Sequence, residues 1–226
     1  MPTLDVQAVL FDLDGVLVDS TECVERTWRT WAAAHGLDGD LVVRHAHGRR
    51  TAETIALVAP QLAASAEVAA LAQSEAAEAR GVYPVAGAAA LLTQLPRDRW
   101  AIVTSGVRAV AEFRIGIGGL PIPRVLVTAD DVSRGKPDPE GYLRAAALLG
   151  VDPSQCVVVE DAPAGLAAAR AAGMHGIGVL GTVDARELGD AGFVVRSVAT
   201  LVVAELVAAA GAAAGPAGLR ISTTAD

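Results

Sequence analysis

Val6-Gln7-Ala8-Val9-Leu10-Phe11-Asp12-Leu13-Asp14-Gly15 is a short apolar run that stops abruptly in two carboxylates two residues apart. Its β-branched and aliphatic part, 6–11, reads as a buried strand, and Gly15 eases the turn that follows. Outward from that strand the chain changes character twice. Residues 20–80 carry helical patterns only: 20–35 with Ser20 as the expected N-cap, about 51–58, and about 62–80. Tyr83-Pro84 closes this block, and a helix over 85–95 follows. From Trp100 onward, short apolar strands at 100–103, 125–127, 157–159 and 177–179 alternate with helices from about 107, over 139–149 and over 163–172. Gly150 and Gly173 stand where helices end. An edge strand is expected at 193–195, a last helix over 198–209, and a mobile tail over 211–226.

Strands that alternate with helices imply a parallel sheet covered on both faces. The expected fold class is therefore α/β, a Rossmann-like sheet with an all-α cap domain inserted after the first strand. The expected boundaries are a core of 1–18 and 84–210, a cap of 19–83 and the tail. In open parallel sheets ligands bind beyond the carboxyl ends of the strands. Asp12 and Asp14, Thr104 and Ser105, and Glu160 and Asp161 all follow strand ends, so they are expected along one rim.

Composition limits the partners. The chain of 226 residues carries a formal charge of −8, which disfavours nucleic acid and anionic membrane surfaces. Its apolar stretch 198–215 contains Glu205 and is mostly alanine, so it reads as a helix rather than a membrane span. No basic or apolar leader opens the chain, and a cytoplasmic location is expected. The two cysteines, Cys23 and Cys156, read as reduced, small hydrophobic side chains.

Four acids at one rim are costly unless a cation neutralises them, and a hard divalent ion with oxygen ligands, Mg²⁺ first, suits them. Taken alone, Asp12-Leu13-Asp14-Gly15 also fits a plain Asx turn. Lys136 is more informative, because it is the one lysine beside 17 arginines. A compact ammonium where arginine is otherwise the rule suggests a site needing a point charge, although an exposed lysine could also survive by chance.

Four segments now stand in order: Phe11-Asp12-Leu13-Asp14-Gly15-Val16-Leu17-Val18-Asp19-Ser20, Ile102-Val103-Thr104-Ser105-Gly106, Gly135-Lys136-Pro137-Asp138-Pro139, and Val159-Glu160-Asp161-Ala162-Pro163-Ala164-Gly165. Together they closely resemble the haloacid dehalogenase-like hydrolases that carry a helical cap after the first motif. The resemblance implies that Asp12 is a nucleophile toward phosphorus. Asp14 would be general acid and then base, held protonated in the resting site by its like-charged neighbours. Thr104 and Lys136 would serve catalysis, and Ser105 and Gly106 would bind phosphate. Mg²⁺ would be held by Asp12, the Asp14 carbonyl, Asp161 and, in support, Glu160. An aspartate two residues after the nucleophile argues for phosphoryl transfer over dehalogenation.

The cap stretch Ala46-His47-Gly48-Arg49-Arg50-Thr51 resembles that of sugar- and polyol-phosphate phosphatases, so His47, Arg49 and Arg50 are candidate substrate contacts. The glycine- and proline-rich segment 113–123 departs from the usual pattern and leaves the sheet edge open. The implied function is a monomeric, Mg²⁺-dependent phosphatase for a small phosphorylated metabolite. A phosphomutase of the β-phosphoglucomutase type is the alternative, and a binding or regulatory protein without catalysis the third reading.

Overall fold

The computed structural model describes residues 2–62, 65–206 and 218–224. The opening run breaks at Gln7 into Thr3–Val6 (β1) and Ala8–Phe11 (β2). All four residues of β2 are buried, as a strand covered on both faces requires. Val18–Asp19 (β3) then leads into four helices: Thr21–Ala34 (α1), Gly39–Ala46 (α2), Thr51–Val58 (α3) and Ser65–Ala77 (α4). Helix α2 has no counterpart in the sequence reading. It is started by Asp38, whose carboxylate accepts from the amides of Asp40 and Leu41. Tyr83–Pro84 (β4) returns the chain by pairing antiparallel with β3, so the helical insert leaves and re-enters through one two-strand ribbon.

Ala88–Gln94 (α5), Trp100–Val103 (β5), Arg108–Ile117 (α6), Leu126–Val127 (β6) and Glu140–Leu149 (α7) follow. Cys156–Glu160 (β7), Pro163–Ala171 (α8), His175–Val179 (β8) and Phe193–Val195 (β9) complete the alternation. These strands form a parallel sheet in the order β6-β5-β2-β7-β8-β9. Alternate residues of β2 serve opposite cores. Val9 and Phe11 pack with Leu91 and Leu92 of α5 and Ile115 of α6, whereas Ala8 and Leu10 pack with Tyr142 of α7 and Ala168 of α8. On the second face, small sheet residues such as Ala8 and Ala101 meet alanine-rich helices, which is where the alanine content is used.

The insert has a separate core built on Trp28, Trp31, Val42 and Ile55, with the two indoles edge to face at 5.6 Å between centroids. The fold is thus α/β with a six-stranded parallel sheet and an inserted helical cap. β2 lies between β5 and β7; the chain runs from β2 toward β5 and, later, from β7 the other way toward β8. That arrangement opens a crevice at the carboxyl end of β2. No helix among the described residues is long and apolar enough to cross a membrane.

The end of the chain corrects two expectations. In place of a helix over 198–209, Leu201–Leu206 is a strand (β10). In place of a mobile tail, Gly218–Thr223 is also a strand (β11), paired antiparallel with both β1 and β10. Of those two expectations, 207–209, 211–217 and 225–226 lie outside the described residues. The reason is alternation: Leu219 and Ile221 enter the main core while Arg220 turns outward to Asp5. Pairing with a strand some 215 residues away overrides the helical preference of the nearby alanines.

Ile221 is 1% exposed, so Ile221→Ala is expected to cost roughly 3 kcal/mol and to lower the melting temperature by about 10 °C. A tail free of the core would leave the melting curve unmoved.

Candidate active site

Lys136 places its ammonium, 6% exposed, among three acceptors. Nζ donates to Asp12 Oδ1 at 2.8 Å, to Glu160 Oε1 at 2.6 Å and to the Val103 carbonyl at 3.2 Å. An ammonium has three donors in a compact tripod, and all three are used here. The chemistry asks for lysine rather than arginine, which makes the composition signal intelligible.

Glu160, fully buried at the end of β7, accepts four hydrogen bonds. Oε1 takes Lys136 and the Tyr142 hydroxyl at 2.9 Å, and Oε2 takes the Asp161 and Ala162 amides at 3.0 Å each. Its lone-pair capacity is therefore spent on orientation. Gly165 makes room for it, because a Cβ at that position would overlap the Glu160 carboxylate. Gly15 does the same for Asp161 and also has φ +78°, a left-handed conformation that glycine adopts freely.

One carboxylate oxygen from each of Asp12, Glu160 and Asp161 lies within 4.8 Å of the other two, a buried cluster that could hold a metal. Burial, with Glu160 and Asp14 adding to it against the pull of Lys136, raises Asp12 to about 7. Burial, then Glu160 and Asp12, push Asp161 well above the usual carboxylate range. Asp12 and Glu160 hold Lys136 above the ordinary lysine value against its own burial. One ammonium faces three buried carboxylates, whose full ionisation would leave two unbalanced negative charges, and a divalent cation of oxygen preference fits that deficit.

Thr104 and Ser105 follow β5, opposite Asp12. Thr104 is buried, and its Oγ1 accepts the Gly106 amide at 3.1 Å. Ser105 Oγ reaches across to the carbonyl of Gly48 in the cap at 2.9 Å. All three residues line a cleft that opens to solvent, together with Asp12, Asp14, Asp161, His47 and Arg49. Burial lowers the His47 pKa, favouring a neutral imidazole there.

The two neighbouring cap arginines diverge. Arg49 lines this cavity, whereas Arg50 Nη1 donates to the Ser133 carbonyl at 2.9 Å beside the Lys136 loop. Glu53 accepts the Gly135 amide at 2.7 Å next to it. Arg50 and Glu53 therefore dock the cap on the loop that carries Lys136.

Asp14 departs from the sequence reading. Its Oδ1 accepts the Ser20 hydroxyl at 2.6 Å, and its Oδ2 faces Arg114 Nη1 at 2.8 Å. Its immediate partners are a hydroxyl and a cation, in place of the like charges expected to surround it. Ser20 makes no side-chain cap to α1; its hydroxyl donates to Asp14. Arg114, Glu75, Tyr142 and Thr182, which donates to Asp161, join the site without having been singled out in the sequence. The oddity of segment 113–123 pointed near Arg114 but not at it.

The family model for haloacid dehalogenase-like hydrolases matches residues 6–173. Hexitol phosphatase A of Escherichia coli is 45% identical over 199 residues, covering 86% of this chain and 92% of that protein. Glycerol-1-phosphate phosphohydrolase 2 of Saccharomyces cerevisiae is 36% identical, covering 80% of this chain and 78% of its own length. The crystal structure of CbbY from Rhodobacter sphaeroides in complex with phosphate superposes with a TM-score of 0.73 at 28% identity, covering 86% of this chain and 95% of that one. Because the family match runs over most of its length, the chain belongs to the haloacid dehalogenase-like hydrolases.

Proposed function

We propose that the protein is a Mg²⁺-dependent phosphatase of small sugar or polyol phosphates that works through an aspartyl phosphate on Asp12. The observation that carries this reading is Asp12, fixed by Lys136 and lining a cavity whose cap-side wall bears His47 and Arg49. The names of the hexitol and glycerol-1-phosphate phosphatases support the substrate class.

Asp12 attacks phosphorus through a carboxylate oxygen, forming the new P–O bond as the ester P–O bond breaks. Asp14 gives its proton to the leaving alkoxide oxygen. It then takes a proton from the water that attacks phosphorus and returns Asp12 as a carboxylate. Thr104 Oγ and the Ser105 amide donate to the phosphoryl oxygens, the Gly106 amide holds Thr104 Oγ in place, and Lys136 offsets the charge developing beside Asp12. Asp12 and Asp161, with the Asp14 carbonyl, would hold Mg²⁺ while Glu160 fixes Lys136. Bound there, the ion neutralises charge between the carboxylate and the phosphoryl oxygens.

On this reading the core is 1–18 and 84–210, joined by β11 from the expected tail, and the cap is 19–83, with the β3–β4 ribbon as the joint. Every proposed group comes from one chain, so a monomer suffices. A phosphomutase would use the same core and a cap cation for a second phosphate. The Arg50 contact to Ser133 removes one of its two candidates.

A panel of hexitol phosphates, glycerol 1-phosphate and 2-deoxyglucose 6-phosphate with Mg²⁺ is expected to release inorganic phosphate. EDTA should abolish release and Mg²⁺ restore it. Asp12→Asn should be inactive on every ester, and residual turnover by that variant would sink the nucleophile assignment. Isomerised glucose phosphate in place of free phosphate would favour the mutase.

Arg49→Ala should raise KM about tenfold with kcat little changed, the loss of one charged hydrogen bond to substrate. Lys136→Met should lower kcat by about 10²–10³. Equal kinetics for wild type and Arg49→Ala would remove Arg49 from the substrate-binding set.

A further inference from the structure

Arg114 stands out among the cavity residues because nothing in the reaction above requires it. It projects from α6 of the core and is 3% exposed, and its fork ends on two acids from different parts of the fold. Nη1 lies 2.8 Å from Asp14 Oδ2, in the turn after β2. Nη2 lies 3.2 Å from Glu75 Oε2, on helix α4 of the cap. The second oxygen of Asp14 is held by Ser20, which sits immediately after β3 where the chain enters the cap. Asp14, Ser20, Glu75 and Arg114 all line the same cavity.

A buried ion pair is weak grounds for stability, because desolvating the charges offsets much of their attraction. Burial, opposed by Arg114, raises the Glu75 pKa, which marks that carboxylate as costly where it stands. Arg114 Nε is also buried without a hydrogen-bond partner. A cluster this expensive for folding calls for another reason, and its geometry supplies one. A planar guanidinium is a rigid spacer whose two nitrogens keep a fixed separation, so whatever holds one arm sets the position of the other. Glu75 holds one arm from the cap side, and the other arm holds Asp14.

We infer that Arg114 is the positioning residue for Asp14, and that Glu75 makes the position of Asp14 depend on the seating of the cap. With Glu75 in place, Arg114 meets Asp14 through one nitrogen only, and Ser20 restrains the other oxygen. Without Glu75 the whole fork is free to draw on Asp14 and pull it from the leaving oxygen. This inference rests on the reading of Asp14 as the group that protonates the leaving alkoxide. Misplacement by about 1 Å can cost about 10²-fold in rate, which sets the size of effect to look for.

The test compares kcat/KM on glycerol 1-phosphate, whose alkoxide must be protonated as it leaves, with p-nitrophenyl phosphate, whose phenolate leaves without a proton. kcat/KM stops at the first irreversible step, so later hydrolysis of the phosphoenzyme does not enter. Asp14→Asn is the reference, with an expected loss of about 10²–10⁴ on the glycerol ester and far less on the nitrophenyl ester.

Glu75→Gln should lose about tenfold on the glycerol ester alone. The double variant Arg114→Met with Glu75→Gln removes the cation together with the more buried of its two acids, and leaves Asp14, which is 26% exposed, with its bond from Ser20. It should lose about 10²-fold, again on the glycerol ester. Arg114→Lys, which can reach one acid but not both, should recover part of that loss. Equal losses on both esters, or none, with Asp14→Asn still selective, would overturn the positioning role while leaving the acid assignment standing. An Asp14→Asn variant without selectivity would overturn both.

Discussion

Lys136 brings one positive charge into a space shared with three carboxylates, and the surrounding architecture follows from keeping it there. Its tripod needs the end of β2 for Asp12, the end of β5 for the Val103 carbonyl and the end of β7 for Glu160. These are three adjacent strands of a parallel sheet, and only at their carboxyl ends do the three acceptors converge. Glu160 in turn needs Tyr142 and two amides, and the absence of a side chain at Gly165. Removing the ammonium would leave buried like charges facing one another, which is far more costly than losing a surface pair.

Cys23 and Val82 tie the base of the cap into the main sheet core, and the cap meets the catalytic centre itself through polar contacts. Its tryptophan-based core is separate from the two sheet cores. It meets the catalytic loops through Ser105 to Gly48, Arg50 to Ser133, Glu53 to Gly135 and Glu75 to Arg114. Contacts of this kind can be exchanged with water at modest net cost, so a cap held by them can part from the core and reseat. The β3–β4 ribbon is short enough to serve as the joint for such a motion.

Much of this was legible in the chain itself. Strand–helix alternation after Trp100 gave the sheet, and the polar residues at three strand ends gave the rim. Lys136 announced itself by being the one lysine. Other parts were not legible, for identifiable reasons. Arg114 is one of 17 arginines and its partners lie far off in sequence, so no local pattern marks it. Ser20 has the position of an N-cap, and only the fold reveals the nearer acceptor. Arg49 and Arg50 are neighbours of the same type, separated by which way the entry to α3 turns each of them. The β10–β11 pair depends on β1 at the other end of the chain, a long-range pairing that a local reading of alanine-rich sequence misses.

The central claim is that the phosphoryl group passes through Asp12 while Lys136 steadies it. Enzyme quenched during turnover of a good substrate and reduced with borohydride should carry homoserine at position 12, found by peptide mass mapping, because the acyl phosphate is reduced where a free carboxylate is not. Steady phosphate release with residue 12 unmodified, or with the label on another carboxylate, would contradict it.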